Sequence, residues 1–101
     1  MKKSIEISND KFLELLDKGW QVIDVRDKYE YENFEKFLPS VNISYPEVLN
    51  NVNKRWPNLD TKLIFICNHG NRSGLTARHL HKLGYVNVYV LDTGIAGLFS
   101  S

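Results

Sequence analysis

Cysteine is almost absent from this chain of 101 residues: Cys67 is the single one. It cannot close an internal disulfide, which excludes the stapled framework of a small secreted protein and leaves a free thiol. Long apolar runs are missing as well. The longest, Leu63 to Cys67, is five residues, against the ~20 that a membrane helix needs. Met1, Lys2 and Lys3 are basic, but Glu6, Asn9, Asp10 and Lys11 follow instead of the apolar core of a signal peptide. A cytoplasmic address without a membrane partner is therefore expected. There is no excess of one charge: 13 basic and 12 acidic residues are interleaved, for a net charge of +1. That balance argues against a phosphate-tracking basic face, so no nucleic-acid partner is expected. His79 and His81 lie two apart on an expected helix and point to different faces, so no metal site and no cofactor are implied. Neither an internal repeat nor a low-complexity tract or linker interrupts the chain.

What is present is an ordinary globular composition, 43% hydrophobic and 25% charged, at a length that suits one domain over residues 1–101. Ile5 to Ile7 alternates like a short strand. Ser8 then suits an N-cap for a helix with Phe12, Leu13, Leu15 and Leu16 on its apolar face, ended by Gly19. Gln21 to Val25 reads as a buried strand. Asp27 and Glu30 have the spacing of a capping box, predicting a helix over 29–34. Val41 to Ile43 is a short strand, and Pro46 suits the first turn of a helix reaching Asn53. Trp56 reads as a core anchor in a loop. Lys62 to Cys67 is the central strand, followed by a helix from Ser73 to Leu83 with Leu75, Leu80 and Leu83 among its buried positions. Val86 to Val90 is the last strand, and 94–99 a terminal turn or helix. Strands alternating with helices predict parallel pairing through right-handed crossovers.

The most informative stretch is Cys67-Asn68-His69-Gly70-Asn71-Arg72-Ser73. A thiol at the end of a parallel strand, a short loop and a helix start would together surround sulfur with backbone N–H groups. Such a bowl stabilises negative charge, which points to thiolate nucleophilic chemistry on an anionic substrate, with the Arg72 guanidinium at the rim.

Three segments in order resemble the rhodanese-like single-domain sulfurtransferases: Asp24-Val25-Arg26 followed by Glu30-Tyr31, the C-x-x-G-x-R-S loop beginning at Cys67, and Leu83-Gly84-Tyr85 through Gly94-Ile95-Ala96. The resemblance implies a three-layer α/β/α domain with a five-stranded, mainly parallel central sheet. It also implies a sulfurtransferase in which Cys67 takes sulfane sulfur from thiosulfate or a persulfide donor and passes it to a small or protein thiol or to cyanide. Arg72 would bind the donor's oxyanion, while backbone groups of Asn68, His69, Gly70, Asn71 and Ser73 complete the anion site. Asp24 and Arg26 would tie the strand end to Glu30 or to the loop. The chain departs from the family pattern at Phe37, where a histidine is usual, at Thr93, where a glycine is, and at Leu98, where a tryptophan is.

Two other readings compete. Thiolate phosphatases and arsenate reductases use a similar loop, but the phosphatase pattern has five residues between cysteine and arginine, and here there are four. A non-catalytic docking module with the same fold is the other rival, although the retention of both Cys67 and Arg72 counts against it.

Overall fold

The computed structural model describes residues 5–99, so the basic start at Met1, Lys2 and Lys3 lies outside the described residues. The elements alternate as expected: β1 (Glu6–Ile7), α1 (Asn9–Asp17), β2 (Gln21–Asp24), α2 (Lys28–Asn33), β3 (Val41–Asn42), α3 (Tyr45–Asn50), α4 (Val52–Arg55), β4 (Leu63–Ile66), α5 (Asn71–Lys82), β5 (Val88–Leu91) and α6 (Gly94–Phe99). The sheet order is β1-β5-β4-β2-β3, and every pairing is parallel. The expectation of a mainly parallel five-stranded sheet is thus borne out, and sharpened to an all-parallel one.

Each strand of the sheet centre is apolar on both faces because helices cover both. Along β4, Leu63 and Phe65 join a core with Val48, Val52, Ala77 and Leu80, while Ile64 and Ile66 face Phe12, Leu15 and Ile95 on the other side. Cys67 continues the Leu63–Phe65 alternation and so faces α5. Fully burying one such side chain contributes roughly 1.5–3 kcal/mol, so β4 is the best anchored strand of the sheet.

Strand order also places a crevice. From β2 the chain moves outward to β3, whereas from β4 it moves the other way to β5. The loops leaving the carboxyl ends of β2 and β4 therefore diverge, and open α/β sheets bind their ligands at such a switch point. Here those loops begin with Asp24-Val25-Arg26 and with Cys67.

Helix phases differ from the expectation in several places. Helix α5 opens at Asn71, two residues earlier than the expected Ser73, and it buries Ser73, Gly74, Thr76, Ala77 and Leu80. Leu75 is 56% exposed and Leu83 43%, so neither belongs to the core. The buried stripe is made mostly of small residues spaced three or four apart, and Ser73 at its start packs on the Cys67 sulfur. In α1, Phe12 and Leu15 are buried but Leu13 is exposed. The helix expected to reach Asn53 breaks at Asn51, which takes φ −138°, ψ 35° and separates α3 from α4. Asparagine competes with helical hydrogen bonding, which makes it a natural break.

Thr93 is accommodated by Gly97. A Cβ at Gly97 would collide with the Oγ1 and Cβ of Thr93. Thr93 Oγ1 meets Asn9 Oδ1 at 3.1 Å, and Asn9 Nδ2 donates to Gly97 O at 3.3 Å, tying α6 to the start of α1.

Candidate active site

The Cys67 side chain leaves the end of β4 beneath the first turn of α5, with the residue only 2% exposed. Its sulfur accepts N–H groups from Gly70 at 3.2 Å and from Ser73 at 3.4 Å, and the Ser73 hydroxyl lies 3.2 Å away. Gly70 caps α5 with φ +93°, a left-handed conformation that side chains disfavour, and a Cβ there would lie 2.8 Å from Asp92 O. The loop therefore turns only with glycine at this point, and the turn directs backbone dipoles at sulfur. These N–H groups and the positive end of a 12-residue helix stabilise negative charge on the atom they face.

The floor of the loop is fixed from behind. Ile95 N donates to Cys67 O at 2.8 Å, and Ala96 N donates to Asn68 O at 3.1 Å. Gly94, at φ +69°, makes this approach possible, because a Cβ there would strike Asn68 O and lie 2.7 Å from Cys67 O.

A continuous polar chain supports the loop from the β2 side. Asp24 and Arg26, both fully buried, form an ion pair at 2.8 Å, with Arg26 Nε also donating to Asp24 Oδ1 at 3.0 Å. Arg26 Nη1 then reaches Asn68 Oδ1 at 3.1 Å. Asn68 Nδ2 donates to Glu30 Oε1 at 3.1 Å, and Glu30 takes both ends of the Arg72 guanidinium, at 2.6 and 2.8 Å. The Arg72 hydrogen bonds hold the Glu30 carboxyl down at about 2, against the desolvation that pushes it up. The same bonds raise Arg72 above its ordinary value.

The structure thus brings Cys67, Asn68, Gly70, Arg72 and Ser73 together with Asp24 and Arg26. The Asp24–Arg26 pair ties the strand end to the loop, as one of the two expected attachments had it. His69 and Asn71 are exposed, and the hydrogen bonds to the sulfur come from Gly70 and Ser73 instead. Glu30 was legible as a capping-box residue, as part of the segment that resembles the family and as a possible attachment for the Asp24–Arg26 pair; it keeps the capping role by accepting from Asp27 N at 3.2 Å. Its grip on Arg72 was not legible, since 42 residues separate the two. Beside the loop lies an open cleft of about 410 Å³ bounded by Asn68, His69, Phe34, Ile95 and Phe99. Among the described residues no group of three His, Cys, Asp or Glu side chains converges to hold a metal ion, and no helix is long and apolar enough to cross a membrane.

The profile of the Rhodanese-like domain matches residues 8–100. The chain belongs to the rhodanese-like family. It is 31% identical over 88 residues to the thiosulfate sulfurtransferase GlpE of Pseudomonas paraeruginosa, a match covering 87% of this chain and 77% of that protein. Among solved structures, the human single-domain sulfurtransferase TSTD1 superposes with a TM-score of 0.83 at 19% identity, covering 98% of this chain and 99% of that one. A rhodanese-related protein from Thermoplasma volcanium gives a TM-score of 0.73 at 31% identity, with 95% and 89% covered. The rhodanese-like fold expected from the three sequence segments is the fold observed.

Proposed function

We propose that this protein transfers sulfane sulfur through a persulfide on Cys67. The observation that carries the reading is the Cys67 sulfur itself, set at the N-terminus of α5 and facing the N–H groups of Gly70 and Ser73. In the first half-reaction the Cys67 thiolate attacks the outer sulfur of thiosulfate or of a persulfide. The donor's S–S bond breaks, sulfite or a thiolate departs with the electron pair, and a persulfide remains on Cys67. In the second, a small or protein thiol, or cyanide, removes that sulfur and regenerates the thiolate. Charge stays at one place throughout, so fixed N–H dipoles need no reorganisation, and one such donor is worth ~3 kcal/mol in related oxyanion sites. With no second cysteine in the chain, the acceptor is another molecule. The GlpE relative, a thiosulfate sulfurtransferase by name, supports the same reading.

A phosphatase reading fits less well. The Arg72 fork that a phosphoryl group would need is engaged by Glu30, and the loop is one residue shorter than the phosphatase pattern.

The test is intact mass after incubation with thiosulfate. One added sulfur, removable by reductant, is expected on the native protein and none on Cys67→Ser, with the far-ultraviolet circular dichroism of the two alike. Sulfur loading of the serine protein would overturn the assignment, as would hydrolysis of an aryl phosphate faster than sulfur transfer.

A further inference from the structure

We infer that Glu30 sets donor specificity: by filling the guanidinium fork of Arg72 it disfavours thiosulfate and favours a donor whose sulfane sulfur is carried on an uncharged organic thiol, a hydropersulfide. The inference rests on the sulfur-transfer reading above.

A sulfonate-like oxyanion and a carboxylate seek the same thing from arginine, two parallel N–H bonds from one planar fork. Glu30 already makes both, at 2.6 and 2.8 Å. The carboxylate is itself held by Asn68 Nδ2 at 3.1 Å and by Asp27 N at 3.2 Å, so it is fixed at three sides. The other guanidinium adjoining the loop is committed too, since Arg26 spends Nε and Nη2 on Asp24 and Nη1 on Asn68. A dianionic donor reaching Arg72 must therefore expel Glu30 from the Nη1–Nη2 edge, leaving that carboxylate without its counter-ion, or bind along the Nε edge with the Glu30 charge beside it.

The groups left for the reaction, the N–H of Gly70, the N–H of Ser73 and the Ser73 hydroxyl, face the sulfur and not the far end of a donor. Around the adjacent cleft, Phe34, Ile95 and Phe99 offer apolar walls, while His69, Glu35 and the already paired Arg26 make up its polar side. An organic body finds apolar contact there, and the Glu35 carboxylate opposes a dianion. With a hydropersulfide the step balances without any other reactant. Thiolate attacks the terminal sulfur of RS–SH, a new S–S bond to Cys67 forms as the old one breaks, the electron pair leaves on RS⁻, and the proton stays with the transferred sulfur.

The experiment compares steady-state loading from thiosulfate and from 2-hydroxyethyl hydropersulfide in native protein and Glu30→Gln. The glutamine variant should raise the thiosulfate-to-hydropersulfide ratio of kcat/KM about tenfold through a lower thiosulfate KM, one charge-assisted contact being worth about that factor. An unchanged ratio, which a purely bracing Glu30 would give, overturns the inference while leaving sulfur transfer standing. Failure of both donors to load Cys67 in native protein defeats the sulfur-transfer reading and this one with it, and loading from thiosulfate alone overturns this inference while sulfur transfer stands. A measurement that needs no variant is sulfate titration of native protein, followed on the Arg72 Nε–H resonance. That resonance should hold its position up to tens of millimolar sulfate, because a fork already filled by carboxylate offers the ion little, and saturation below about 1 mM would overturn the inference.

Discussion

Two arginines flank the sulfur loop, each paired with a carboxylate, and they differ in where that pair sits. Arg26 and Asp24 are fully enclosed at the end of β2, with side-chain exposures of 0%. Arg72 and Glu30 form the rim, with side chains 30% and 17% exposed. The same two chemical groups therefore do different work. In the interior, neither charge can return to water unless the fold opens, so the pair belongs to the architecture and holds Asn68 in place. At the rim, water and ligands compete for the partners, and the pair becomes a setting that chemistry can alter.

The largest effect should come from breaking the inner pair. Asp24→Ala leaves the Arg26 guanidinium buried without its counter-ion, a change that typically costs 3–5 kcal/mol, roughly 4 here. Urea denaturation would read it as a lower midpoint. A loss under about 1 kcal/mol would mean that the interior pair is as replaceable as a surface one, and the contrast would fail.

Arg72→Ala sharpens the contrast from the other side. It removes two charge-assisted bonds but leaves Glu30 partly hydrated and still bonded to Asn68 and Asp27, so a stability loss of about 2 kcal/mol is expected, half that of the inner pair. Its kinetic effect should fall harder on thiosulfate than on an uncharged hydropersulfide, as a rise in KM, because the uncovered Glu30 charge repels the dianion. Equal losses with both donors would show that Arg72 acts only as a brace.

The smallest effect is in acid. The Glu30 carboxyl is held at about 2 in the folded chain against an ordinary 4.5. A depressed folded value means that the unfolded chain binds the proton first, so this contribution is complete above about pH 4.5 and is lost as pH falls from there towards 2. With the partner arginine partly exposed, about 1 kcal/mol is expected from this source. Thermal melts between pH 5 and pH 2.5 should show a shallower decline for Glu30→Gln than for the native chain. Parallel curves would mean that the rim pair adds nothing to folding.

Much of this was legible in the residues. The strand ending at Cys67, the glycine of the loop, the capping box at Asp27 and the ends of most elements follow from local pattern, and the three spaced segments gave the family. What escaped was set by tertiary contact. Helix α5 turns its small residues inward because Ser73 must meet the sulfur, so the leucines at 75 and 83 misled about its phase. Glu30 satisfied a local motif completely, and nothing near it in the chain announced a second bond to an arginine brought over by a different strand. The backing of Cys67 O and Asn68 O by α6 was hidden for the same reason: a backbone donor has no side-chain signature.

The meeting of Thr93 with Gly97 has a consequence for how this molecule can vary. The side chain at 93 occupies the volume that a methyl group at 97 would require, so the two positions are epistatic. Alanine at 97 becomes neutral only after threonine has gone from 93, and a glycine at 93 would open a gap beside Asn9 unless 97 grew to fill it. While threonine stands at 93, either residue changed alone is a step down, and the tie between α1 and α6 depends on the two together.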